Sequence, residues 1–194
     1  MNFLKILYNW TLVKANHKNA KWYLFLVSFT ESSFFPIPPD LLLIPMALAS
    51  KTKAIFYAFI CTIASVLGGL LGYAIGFFFY NSLGFYIVEF YHLQNSFNIF
   101  ENYYKEFGIL IVIGAGITPF PYKFITIASG VFGLNIFLFI IVSVIGRGSR
   151  FYLIALLLYF FGERIRLIID KYFNILTIVF FILLVGSVFI IRFL

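Results

Sequence analysis

The sequence predicts an all-α integral membrane protein made of two inverted-topology repeats. Three observations carry that prediction: an apolar composition, two hydrophobic regions broken by proline, and a faint internal repeat that superposes them. Of 194 residues, 63% are hydrophobic and 11% charged, and the mean hydropathy is +1.04. Soluble domains carry about 25% charged residues. At roughly 20 residues per span, the length holds one membrane domain, residues 1–194, of about four to six segments.

Each element follows from its residues. Residues 1–21 place apolar side chains at helical spacing but are interrupted by Lys5, Lys14, Lys18 and Lys21, which predicts an amphipathic helix on the cytoplasmic face. The first repeat, 22–84, opens with the broken region Trp22–Ser50 and continues into Ala54–Tyr80, a run without charge. Residues 85–107 form an external polar linker carrying Glu89, His92, Glu101, Lys105 and Glu106. The second repeat, 108–167, is broken at "TPFPYK" and continues into Asn135–Phe161, which holds Arg147 and Arg150. Phe173–Ile191 is a final spanning helix.

The breaks fall at Pro36, Pro38 and Pro39 and at Pro119 and Pro121. Proline lacks a backbone donor and drives the preceding residue out of helical geometry, so each cluster ends one half-helix before another begins. Laid over each other, "PIPPDLLLIPMALAS" and "PFPYKFITIASGVFG" match Pro36 to Pro119, Pro38 to Pro121 and Ile44 to Ile127 at an offset of 83. Read as a re-entrant hairpin, the first broken region returns Lys21, Lys51 and Lys53 to one side, as the positive-inside tendency favours. Nine cations then lie inside (Lys5, Lys14, Lys18, Lys21, Lys51, Lys53, Arg164, Arg166, Lys171) and two, Lys105 and Arg192, outside. The repeats point in opposite directions, as in many secondary transporters.

The formal charge of +7 is explained by these cytoplasmic cations, without nucleic acid. The one cysteine, Cys61, excludes a disulfide framework and reads as a packed thiol. No metal or cofactor motif is present. Gly68 and Gly72 form a GxxxG pattern and predict close helix contact; Gly114, Gly116 and Gly130 are assigned to turns and packing, and His17 and His92 to the surface. Thr118, Ser32 and Ser33 either line a site or satisfy backbone groups freed by proline.

Five ionisable residues fall inside apolar regions: Glu31, Asp40, Lys123, Arg147 and Arg150. Each costs about 2.5–3.5 kcal/mol at a membrane helix centre on insertion scales, so lipid-facing positions are disfavoured. Arg147 and Arg150, three apart, share a helix face. Two readings compete. In one, the five line a hydrated cavity where the hairpins meet; their sum of +1 suits a phosphate-bearing head group held by arginine forks. In the other, pairs such as Glu31–Arg147 or Asp40–Arg150 brace the hairpins. A carboxylate at that depth is also a candidate proton carrier.

These residues together resemble the DedA family, also described as the VTT or SNARE-associated domain, and within it the short YqaA-like branch. The likeness rests on Glu31, "FPIPPD" with Asp40, "TPFPYK" followed by "IASGVFG", and "GRGSRF" with Arg147 and Arg150, and it covers about residues 20–165. It implies opposed re-entrant hairpins in the bacterial inner membrane, lipid movement across the bilayer (undecaprenyl phosphate recycling included) and dependence on the proton gradient. Glu31 and Asp40 match the family's paired acids. The usual second-hairpin pattern "GRFxPxxR" is not kept: its arginine positions fall near Gly116 and Tyr122/Lys123, and Arg147 and Arg150 lie on the next helix. The expected function is a lipid or lipid-phosphate translocase with no covalent chemistry. The alternatives are a scaffold or assembly factor and, with less support, a lipid-phosphate enzyme, for which no nucleophile–histidine set is present.

Overall fold

A computed structural model describes residues 19–34, 38–92, 94–118 and 120–193. Residues 1–18 of the expected N-terminal helix, with Pro36 and Pro119, lie outside the described residues. Seven α-helices follow in order: α1 Ala20–Ser33, α2 Asp40–Ala49, α3 Ala54–Phe79, α4 Phe85–Phe90, α5 Gln94–Ile117, α6 Tyr122–Val131 and α7 Ile136–Phe193. A 3-10 turn, Lys51–Lys53, leads into α3, and a π-helical turn, Tyr80–Gly84, leads out of it. Two helical stretches, Lys51–Gly84 and Ile136–Gly162, are long and apolar enough to cross a membrane.

Of the predicted breaks, Pro38, Pro39 and Pro121 are described, and they fall between helices. Pro39 starts α2, and its carbonyl accepts from the amides of Leu42 and Leu43 at 3.0 and 2.8 Å. Pro121, in extended geometry, precedes α6. Asp40 thereby sits in the first turn of α2, where the helix dipole favours a negative charge.

The packing is reciprocal. α3 lies against α1 and α6, and α7 lies against α5 and α2; α3 and α7 also pack on each other. Two apolar clusters form. One joins Leu24, Leu43, Met46 and Cys61 to Phe151 and Ala155; the other joins Val112, Tyr122 and Phe139 to Val142. A buried polar group that includes Glu31, Ser32, Ser33, Ser65, Thr126, Ser143 and Arg147 accompanies them. Large apolar side chains point outward instead, Phe137 at 73% exposure and Phe160 at 69% among them.

Two expectations are corrected. The 85–107 segment is not a separate linker: α5 begins at Gln94 and runs unbroken through Gly108 to Ile117. No proline interrupts it, a Lys105–Glu101 pair one turn apart supports it, and Phe97 stacks on Tyr80 at 4.8 Å between ring centres. Nor does the backbone turn between Phe161 and Phe173, since α7 continues as one helix to Phe193. The intervening "GERIRLIIDKY" holds no proline and is rich in helix formers, so nothing in it stops a helix. At 1.5 Å per residue such a helix extends roughly 85 Å. The expected return span at 173–191 is therefore the far part of α7.

The glycine readings divide. A Cβ on Gly68 would stand 2.0 Å from the Phe29 carbonyl oxygen, and one on Gly72 would stand 2.3 Å from the Thr126 hydroxyl, so the GxxxG pair does mark close contact. Gly130 is equally tight against the Tyr73 carbonyl, and Gly116 against Gly146. Gly114 faces open space.

Candidate functional site

Four of the five buried charges are brought together as two ion pairs. Glu31 stands near the C-terminal end of α1, and Asp40 at the start of α2. Arg147 and Arg150 stand one turn apart on α7, within reach of both.

Arg147 is 1% exposed. Its Nη2 donates to Glu31 Oε2 at 2.6 Å, and its Nε donates to Ser65 Oγ, also at 2.6 Å. Ser65 lies 2.6 Å from Ser32 Oγ, and Ser32 donates to Glu31 Oε2 at 3.1 Å. Because Ser32 spends its one proton on Glu31, Ser65 must donate to Ser32. The result is a closed ring of hydrogen bonds, Arg147 to Ser65 to Ser32 to Glu31 and back, of the kind that strengthens cooperatively in a low-dielectric interior. Aromatic rings cover the guanidinium: its central carbon lies 5.0 Å from the Tyr122 ring centre and 4.7 Å from that of Phe151. Tyr122 is itself anchored, donating to Ser143 Oγ at 2.6 Å.

The second pair is built differently. Arg150 Nη2 donates to Asp40 Oδ2, and its Nη1 donates to the Thr118 carbonyl at 2.7 Å. One side chain on α7 thus ties the start of α2 to the residue that follows α5, touching the edges of both proline breaks. Asp40 Oδ1 is buried, and among the described residues it has no hydrogen-bond donor. Arg150 has five donors, and two are engaged here.

Lys123 does not join this group. It is half-buried on α6, its Nζ lies 5.6 Å from the Phe124 ring centre, and among the described residues it forms no ion pair. On α6 the position opposite Ser32 is taken by Thr126, whose hydroxyl donates to the Ser32 carbonyl at 3.0 Å. Among the described residues, four of the five charges meet as two ion pairs and Lys123 stands apart from them. A groove of about 480 Å³ lies between α3 and α7, walled by Phe59, Ile63, Leu67, Val144 and Tyr152, and none of the five lines it.

Sequence reasoning did not single out Ser65, Tyr122 or Phe151. Ser65 had a signal: Ala58, Cys61, Ser65, Gly68, Gly72 and Gly76 put small residues on one face of α3, the face a partner approaches. Ser33 was read correctly as satisfying backbone, donating to the carbonyls of Phe29 and Gly68.

Comparison with known proteins adds kinship without chemistry. No family model matches the chain, and no solved structure matches it. An uncharacterized protein of Haemophilus influenzae is 37% identical over 164 residues, covering 84% of this chain and 85% of that protein. The uncharacterized protein HI0703 homolog of Histophilus somni is similar to the same extent, 37% over 164 residues with the same coverage. The chain belongs to the family of these Haemophilus and Histophilus proteins.

Proposed function

We propose that this chain is a DedA-type protein of the bacterial inner membrane that moves a lipid bearing an anionic head group, a polyprenyl phosphate or a phospholipid, across the bilayer. In this reading α1–α2 and α5–α6 are two opposed re-entrant hairpins, each followed by a spanning helix. The reciprocal packing supports it: the second arm of each hairpin lies on the other repeat's long helix, α6 on α3 and α2 on α7. The lysines before and after the first hairpin put the N-terminus in the cytoplasm.

The observation that carries the function is the Arg150–Asp40 pair. It bridges both proline breaks, and among the described residues it leaves a buried carboxylate oxygen without a donor. A phosphate monoester or diester offers Arg150 the bidentate partner that Asp40 does not, so a head group can take the carboxylate's place. Asp40, released, is the group that would exchange a proton. The Arg147–Glu31 ring, with both partners enclosed, holds α7 against α1 while that exchange occurs.

The test is reconstitution in vesicles with labelled phospholipid or labelled polyprenyl phosphate, following which leaflet holds the label. Transfer falls at least tenfold in Asp40→Asn and Arg150→Ala. Undiminished transfer in both, with folding verified by thermal unfolding, removes the site.

A scaffold role is favoured by a separate observation: Arg147 is almost fully buried and Glu31 largely so, as a brace needs to be. It predicts that Glu31→Gln/Arg147→Met, which keeps shape and drops charge, preserves the cellular phenotype. For a lipid-phosphate enzyme the described residues supply no support, and release of inorganic phosphate is the assay that would revive it.

A further inference from the structure

We infer that the molecule is divided into two rigid bodies, α1–α3–α6 and α5–α7, which shift against each other at a side-chain interface that contains the buried ion pairs. The inference deepens the translocase reading and rests on it for the purpose of the motion, though not for the division itself.

The contacts within each body are backbone to backbone. A Cβ placed on Gly68 would meet the Phe29 carbonyl oxygen at 2.0 Å; on Gly76, the Ile127 carbonyl at 2.0 Å; on Gly130, the Tyr73 carbonyl at 2.0 Å. Side-chain hydroxyls add bonds across the same seams: Ser28 to the Cys61 carbonyl at 2.9 Å, Ser33 to that of Gly68 at 2.8 Å, and Thr126 to that of Ser32 at 3.0 Å. α1, α3 and α6 therefore share a seam with no room for even a methyl group. In the second body, a Cβ on Gly116 would stand 2.9 Å from the Gly146 backbone, and one on Gly146 would stand 3.1 Å from the Ile113 carbonyl oxygen.

Between the bodies the character changes. α3 meets α7 through side chains, such as Tyr73 against Phe139 with ring centres 5.4 Å apart. The glycine of α7 that faces α3, Gly148, has slack: an added Cβ would meet Thr62 Cγ2 at 3.6 Å, an ordinary contact. Beside it opens the groove of about 480 Å³. Its hydroxyls are turned into their own helices, Thr62 to the Ala58 carbonyl and Ser149 to that of Gly146, so they impose no fixed partner across the gap. Backbone contacts of zero clearance resist sliding, whereas side chains over a void can change rotamer. The polar links across this boundary are made through side chains: Arg147 to Glu31 and Ser65, Tyr122 to Ser143, and Tyr104 on α5 to the Ser129 hydroxyl and the Ile125 carbonyl on α6. Arg150–Asp40 adds the tie from α7 to α2. All depend on side chains that can re-pair.

Spin-label distances test the division, on a Cys61→Ala background, with cysteines at the outward-facing positions Ile75, Phe124, Leu110 and Phe137. The pair 75/124 reports on the first body, 110/137 on the second, and 124/137 crosses the boundary. In wild-type vesicles the crossing distribution is broader than both internal ones. In Glu31→Gln/Asp40→Asn it shifts by roughly 2 Å or more while the internal distances stay fixed. Gly148→Leu, which fills the groove, abolishes the shift. A crossing distance as narrow and unmoved as the internal ones overturns the inference, as does an internal distance that moves equally. Should the carboxamide variant fail to fold, the wild-type widths decide. Motion without lipid transfer would leave the two bodies standing and remove the translocase; transfer with an immobile boundary would do the opposite.

Discussion

Arg147 and Glu31 stand 116 positions apart in the chain and 2.6 Å apart in space, one on α7 and one on α1. Both are buried, and among the described residues each is the other's salt-bridge partner. That relationship fixes how α7 docks and sets the expectations that follow.

Removing one partner leaves a buried charge alone, which costs about 3–5 kcal/mol. Arg147→Met and Glu31→Gln each lower thermal stability in detergent by that order. The double variant loses less than the sum, because no charge is stranded. A double-mutant cycle on unfolding temperatures checks this; additive losses would show that the two side chains do not share an interaction.

Ser65 supplies the acceptor for Arg147 Nε. Ser65→Ala orphans that buried donor, and the expected loss is about 1–3 kcal/mol, with a smaller one for Ser143→Ala, where the donor left behind is a neutral phenol. Melting curves of the two variants side by side test the order.

Glycine substitutions should sort by clearance. Gly76→Ala and Gly130→Ala drive a methyl into a carbonyl oxygen and abolish stable folding, whereas Gly114→Ala, with nothing within 4 Å, is neutral or slightly stabilising. Gly133 also has open space, but its φ of +64° makes Gly133→Ala cost about 1–2 kcal/mol from the backbone alone. Yield of monodisperse protein and its melting temperature distinguish the three classes.

Lys123 separates stability from function. Its ammonium lacks an ion-pair partner among the described residues, and its contact with Phe124 is worth on the order of 1 kcal/mol at most. Lys123→Met therefore leaves melting nearly unchanged. A loss of lipid transfer in that folded variant would place the lysine on the head group's route; full transfer would exclude it.

Prolines and buried charges were the legible part of the sequence. Pro38, Pro39 and Pro121 fall where helices change over, since a missing amide disfavours the helix interior, although Pro45 is accommodated within α2. Both ion pairs were also within reach, because a charge in an apolar run must find its opposite. Ser65 was not, since a serine amid apolar residues reads the same whether it faces lipid or an arginine. Lys123 was legible as a charge in an apolar run, but a sequence does not say which way a long side chain turns, and among the described residues its ammonium lies by Phe124. The continuity of α5 and α7 was harder to read, because polar residues in 94–107 and 162–172 lower the hydropathy there, although neither stretch contains a proline to stop a helix.

The tight glycines carry one more consequence. At Gly68, Gly76 and Gly130 the α-hydrogen that stands in for a side chain points at a neighbouring carbonyl oxygen, an arrangement suited to a weak carbon-donor hydrogen bond. Such contacts draw nothing from the release of water. The seam they form therefore keeps its strength when lipid replaces detergent.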